Sequence, residues 1–160
     1  MVRWGILGLG RAANSFAKAI KEVENAKLTS IASLSKNNNF IFGEKFNIAK
    51  NYQFNSYENL INCEEIDAVY IATLNNKHAD LLIKIAKAKK GILCEKPMTL
   101  TENESKQAFN QLNKSKVFFL ENIAYRSHPQ TTEIINQILN NKIGDVTKVK
   151  SSFGFKVNQI

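Results

Sequence analysis

A chain of 160 residues, 44% of them hydrophobic, is long enough to bury one sizeable core, which excludes a fibrous or disordered polymer. No apolar stretch approaches the roughly 20 residues that cross a bilayer, and the start at Met1-Val2-Arg3-Trp4-Gly5 has no signal-peptide pattern, so a cytoplasmic protein without membrane contact is expected. The net charge of +8 comes from lysines scattered over helix faces and ends, such as Lys84, Lys87, Lys89 and Lys90, with no exposed aromatics between them. That pattern argues against a nucleic-acid partner and suits attraction of an anionic cofactor.

Val2 to Leu7 is an apolar run into glycines, after which Ala13, Phe16, Ala17, Ile20 and Val23 recur at helical spacing: strand, tight turn, helix. Leu28 to Leu34 reads as a second strand, Asn37 to Phe46 as a helix, and Asn51 to Phe54 as a short strand before a helical turn capped at Ser56. Asp67 to Thr73 is apolar almost throughout, as in a strand covered on both faces of a parallel sheet. The next helix places Leu81, Leu82, Ile85 and Ala86 on one face and is expected to stop at Gly91 in a left-handed C-cap, before the strand Ile92-Leu93-Cys94. Thr101 and Glu104 have capping-box spacing for a helix bearing Ala108, Phe109 and Leu112, and Val117 to Leu120 is the next strand.

Strands alternating with helices through Leu120 predict an α/β fold, a doubly wound parallel sheet of the Rossmann type, over residues 1–120. Beyond it, residues 121–160 read as the beginning of a second α+β domain. Pro129 opens a helix with Ile134, Ile135, Ile138 and Leu139 expected to face inward. After Gly144, Thr147, Val149, Ser151, Phe153, Phe155 and Val157 alternate with Lys148, Lys150, Ser152, Gly154 and Lys156, the pattern of a strand in a sheet covered on one side. Its partners are expected from further sequence or from another chain.

Five clusters carry the chemistry. In Gly8-x-Gly10-x-x-Ala13 the first glycine permits a tight turn, the second lets the backbone approach a pyrophosphate, and Ala13 allows close helix packing, so the amides that open the helix bind phosphate. The second strand ends in Ala32-Ser33-Leu34-Ser35-Lys36, without the acid that holds ribose hydroxyls in many NAD sites, which favours NADP over NAD unless Lys36 is only a solvated loop lysine. Thr73-Leu74-Asn75-Asn76-Lys77-His78 follows the fourth strand, and His78 is either a site residue or a capping and packing one. Cys94-Glu95-Lys96-Pro97 ends the fifth strand on the same edge, where Lys96 is placed to exchange a proton with a substrate hydroxyl or simply to face water. The last cluster, Glu121 to Pro129, holds Tyr125, Arg126 and His128 at the change of pattern, as ligand groups or as interdomain hydrogen bonders. Cys63 and Cys94 have no metal-ligand spacing, so neither a metal site nor a disulfide framework is expected.

Together these motifs resemble the Gfo/Idh/MocA oxidoreductases, whose pattern joins a G-x-G-x-x-A start, a T-P-N-x-x-H turn, an E-K-P turn and a Y-R-x-H-P segment; the run from Glu121 is most similar to the dihydrodiol dehydrogenase, xylose dehydrogenase and glucose-fructose oxidoreductase branch. The resemblance implies hydride transfer between NADP, or NAD, and a carbinol carbon of a sugar or related polyol or diol. It implies Lys96 and Tyr125 as catalytic residues, Gly8, Gly10, Arg11 and Ala12 at the pyrophosphate, and Ser33, Ser35 and Lys36 near the adenine ribose. Thr73, Asn75, His78, Glu95 and Lys96 would lie along the nicotinamide side, with Arg126 facing cofactor and substrate.

This sequence departs from the family at Leu74, where a proline is usual, and at Leu34, where the NADP-using branch often has arginine. Family members also continue for well over a hundred residues, so the chain is expected to be a shortened one whose second domain, when completed, binds substrate and forms a homo-oligomer. The alternative is a dinucleotide-binding module without turnover.

Overall fold

A computed structural model describes residues 1–152 and Gly154, in two units, Met1–Asn122 and Ile123–Ile160. The first holds β1 (Val2–Leu7), α1 (Arg11–Ala19), β2 (Ala26–Ala32), α2 (Lys36–Phe46), β3 (Gln53–Phe54), α3 (Tyr57–Ile61), β4 (Ala68–Ile71), α4 (His78–Lys87), β5 (Gly91–Glu95), α5 (Glu102–Ser115) and β6 (Phe119–Asn122). All strand pairs are parallel, in the order β3-β2-β1-β4-β5-β6. Because the chain winds outward from β1 toward β2 and then returns to β4 on its other side, the turn after β1 lies at the switch point of the sheet, where open α/β folds bind ligands.

Side chains alternate across the sheet and sort the core into two layers. Ile6, Ile31 and Tyr70 pack with Ala13 and Ala17 of α1 and Phe42 and Phe46 of α2. Their chain neighbours Leu7, Ala32, Val69 and Ile71 face the other way, against Leu60 and Ile61 of α3, Leu81, Leu82 and Ile85 of α4, and Ala108 and Leu112 of α5. The residues involved are buried on both faces of the sheet; β4 is apolar and buried throughout, whereas β1 and β2 are buried only toward their carboxyl ends.

Several local expectations need correction. The chain reverses after α4 at Lys89, with φ of 60°, and not at Gly91, which is already the first residue of β5 and donates its amide to Asp67 O at 2.9 Å. At this reversal the Lys89 ammonium donates to Ser115 O at 2.8 Å, while Lys90 Nζ reaches Cys63 O and Ile66 O, both at 2.8 Å. Ser56 stands at the N-cap of α3 without a side-chain capping bond, whereas the expected Thr101–Glu104 capping box of α5 is complete. The last strand of the sheet begins at Phe119, so Glu121 and Asn122 are part of it.

In the second unit, Pro129 opens α6 (Pro129–Leu139), with His128 Nδ1 capping the amide of Gln130 at 3.2 Å. Ile134, Ile135, Ile138 and Leu139 are exposed and not inward, since nothing among the described residues covers that face. Thr147 to Ser152 form no strand: strand geometry is held by a hydrogen-bonded neighbour, and none is present among the described residues. Phe153, Phe155, Lys156 and Val157 lie outside the described residues.

Candidate active site

The turn from Leu7 to Arg11 leaves the sheet between two neighbouring strand ends. Gly8 donates its amide to Ala32 O of β2 at 2.9 Å and has φ of +83°, a region that L side chains rarely adopt. A Cβ on Gly8 would stand 2.7 Å from Ala72 O and 2.9 Å from Thr73 Cα, so this glycine is required by the backbone packed against it. Gly10 is different. It forms the N-cap of α1 without a side-chain bond, and a Cβ placed there would meet nothing within 4 Å. Open space therefore stands in front of uncapped first-turn amides, next to partly exposed Ala12 and exposed Arg11, and that arrangement fits the pyrophosphate of a dinucleotide.

On the β2 side, Ser33 Oγ accepts the Ser35 amide at 3.2 Å, and Ser35 Oγ caps α2 by accepting the Asn38 amide at 3.3 Å. Ser35 is exposed and Ser33 buried, and neither hydroxyl donates a hydrogen bond among the described residues. Lys36 is the exposed first residue of α2, and no acid stands in that first turn, so the helix end and the ammonium add their positive potentials. The loop is anchored from beneath by Asn39, a buried residue not singled out from the sequence. Its Nδ2 donates to Ser33 O at 2.9 Å and to Phe54 O and Asn55 Oδ1 at 2.8 Å each.

On the β4 and β5 side the loops are joined by side chains. Thr73 is partly exposed and Asn75 exposed, but His78 is wholly buried, with Nδ1 2.8 Å from Pro97 O and Nε2 3.2 Å from Thr73 O. Its ring thus links the loop after β4 to the turn after β5. Glu95 Oε1 accepts from the Tyr70 hydroxyl and from Asn122 Nδ2, both at 2.6 Å, and Glu121 Oε1 accepts the Met98 amide at 2.8 Å. Lys96, whose peptide bond to Pro97 is cis, is exposed at the tip of this turn. Burial pushes the neighbouring Cys94 thiol up to about 12, with the Glu121 and Glu95 carboxylates adding to the shift, so it is not a nucleophile.

Gly8, Gly10, Ser33, Ser35, Lys36, Thr73, Asn75, Glu95 and Lys96 are therefore gathered along the carboxyl edge of one sheet. Tyr125 and Arg126 lie in the second unit, in a short 3-10 turn (Ala124–Ser127) where Tyr125 O accepts the Thr131 hydroxyl at 2.7 Å and Arg126 donates its amide to Ile123 O at 2.9 Å. No group of acids, histidines and cysteines suited to a metal occurs among the described residues, and no described helix is long and apolar enough to cross a membrane.

Residues 2–123 match the family model described as an oxidoreductase family with an NAD-binding Rossmann fold, GFO_IDH_MocA. The chain belongs to the Gfo/Idh/MocA oxidoreductase family. Among curated relatives of this Gfo/Idh/MocA chain, the trans-1,2-dihydrobenzene-1,2-diol dehydrogenase of Danio rerio is 31% identical over 155 residues, covering 96% of this chain and 46% of the relative. The D-xylose 1-dehydrogenase (NADP(+)) 2 of Haloferax volcanii is 32% identical over 155 residues, with the same coverage of 96% and 46%. The chain thus spans about half the length of the curated relatives it matches. The scyllo-inositol dehydrogenase of Lactobacillus casei, solved with NAD(H) and scyllo-inositol, superposes with a TM-score of 0.85 at 21% identity, over 92% of this chain and 43% of that one. At that identity the likeness is one of fold.

Proposed function

We propose that this chain is the cofactor-binding part of an NADP-preferring dehydrogenase acting on a sugar or related polyol. The observation that carries the reading is the pairing of an uncapped, open glycine turn at Gly10 with an exposed lysine, Lys96, on the same sheet edge. The amides after Gly10 hold the pyrophosphate, with Arg11 beside them. Ser33 and Ser35 donate to the adenine ribose, and Lys36 at the acid-free start of α2 takes the charge of a 2′-phosphate. Thr73, Asn75 and Glu95 line the nicotinamide side, while buried His78 serves them by holding the two loops together. A bound nicotinamide supplies the two-electron exchange with a carbinol carbon. Lys96 Nζ holds and passes the proton of the substrate hydroxyl.

The name of the Haloferax relative includes both NADP(+) and a sugar, D-xylose, and both support this reading. Fluorescence titration of the chain with NADPH and NADH tests the cofactor: tighter binding of NADPH is expected, with the preference lost in Lys36→Ala. Equal binding of the two by the unaltered chain refutes the preference. A sugar and polyol panel assayed with NADP tests the reaction, and turnover that survives unchanged in Lys96→Ala removes Lys96 as the proton carrier.

A further inference from the structure

Tyr70 belongs to none of the glycine, Thr73–His78 or Glu-Lys-Pro segments, yet it joins the helix that follows the glycine turn to the carboxylate of the Glu-Lys-Pro turn. Its ring is buried in β4 and stacks on Phe16 of α1 at 4.3 Å between centroids, one turn into the helix that the glycine turn opens. Its hydroxyl crosses to the end of β5 and donates to Glu95 Oε1 at 2.6 Å. Asn122, directly opposite Glu95 in the β5–β6 register, donates to the same oxygen at 2.6 Å. Two strong donors on one oxygen fix the rotation of the carboxylate and leave Oε2 free of protein donors among the described residues. The phenol is also a permanent donor, because burial first, and the Glu95 carboxylate second, hold it protonated well beyond its ordinary range.

We propose that Tyr70, assisted by Asn122, is a positioning residue that presents the unpartnered oxygen of Glu95 to a hydroxyl-bearing ligand, the ribose diol on the nicotinamide side, and thereby sets the turn that carries Lys96. The inference rests on the cofactor reading above. A buried tyrosine needs only some acceptor, and a main-chain oxygen would serve. Spending the bond on the carboxylate that precedes Lys96, with a second donor on the same atom, is what a site requires and a core does not.

A double-mutant cycle on the full chain, read as NADPH affinity, tests this. Tyr70→Phe keeps the ring on Phe16 and removes only the hydroxyl; it is expected to weaken binding about tenfold while the chain stays folded with only a small fall in unfolding midpoint, and Asn122→Ala is expected to weaken binding in the same direction. In a Glu95→Ala background Tyr70→Phe is expected to cause no further loss, because its effect passes through that carboxylate. If the unaltered chain binds NADPH and Tyr70→Phe binds as tightly, or loses as much without Glu95 as with it, the positioning role is overturned and the cofactor reading stands. If the unaltered chain binds neither NADPH nor NADH, the cofactor reading is overturned and the positioning role falls with it.

Discussion

The two glycines of the turn after β1 have opposite reasons for being glycine, and substituting each by alanine separates them. In Gly8→Ala the new side chain must adopt φ of +83°, which costs an L residue about 1–2 kcal/mol. Its Cβ also lands 2.7 Å from Ala72 O and 2.9 Å from Ala72 C, main-chain atoms of the neighbouring strand end that no rotamer change can move aside. Displacing that strand end adds about 1–3 kcal/mol, for a total near 3 kcal/mol and a fall in unfolding midpoint of roughly 10 °C. Gly10→Ala carries neither cost, since φ is −82° and nothing lies within 4 Å of the new methyl. Its stability is expected to change by less than about 0.5 kcal/mol, while NADPH affinity falls at least tenfold because the methyl occupies the space in front of the first-turn amides. Urea unfolding of both variants, with NADPH titration of the Gly10 variant, measures these effects. Gly8→Ala within about 0.5 kcal/mol of the unaltered chain, or Gly10→Ala binding as tightly, refutes the division of roles.

Asn39→Ala removes the side-chain amide whose two protons are shared among three oxygens beneath the Ser33 loop and is expected to cost about 2 kcal/mol; Asn39→Asp costs more, because it turns a carboxylate toward those oxygens, and urea unfolding ranks the two. Asp67, hydrogen-bonded and paired with Arg3, is held down to about 2 from 3.8, so its folded value lies below the unfolded one. The pairing therefore stabilises the fold above about pH 4 and is lost as the pH falls toward about 2, so acid titration of unfolding should be shallower in Asp67→Asn over that window. Cys94, its thiol pushed up to about 12 and its side chain buried, is expected to resist iodoacetamide at pH near 8 in the native chain and to react in urea, by mass spectrometry of the labelled peptide.

The architecture was legible because its signals are local. Val2 to Leu7 and Asp67 to Thr73 announce strands by their largely apolar runs, the second buried throughout β4, and Thr101 with Glu104 announces a helix start by a reciprocal pair three residues apart. Expectations failed where the outcome depends on what lies opposite in space. The alternation from Thr147 records which face of a strand would be covered, but among the described residues no neighbouring strand makes it one. The reversal at Lys89 follows the same rule in the other direction. Gly91 is the residue best suited to the left-handed conformation, yet its amide is needed by Asp67 O in the sheet, so the turn comes two residues earlier, at a lysine whose ammonium finds a carbonyl.

The candidate site divides along the same line. Gly8, Gly10, Ser33, Lys36 and Lys96 are legible because each stands at the end of a strand, and in a parallel sheet every strand end falls on one edge. The residues that hold them in place are not, because their partners are far away in sequence: Asn39 bonds across 15 positions to Phe54, Tyr70 across 25 to Glu95, and Asn122 across 27 to the same carboxylate. A signal for them exists only at the level of satisfaction. Asn39 is a polar residue on the face of α2 that buries Phe42 and Phe46, and Tyr70 interrupts a run of aliphatic residues with a hydroxyl that the core must satisfy. In both cases the partner is the main chain or carboxylate of a strand-end loop. A buried polar group whose partners lie at such an edge therefore identifies which loop is held, and these held loops keep the ligand edge in register.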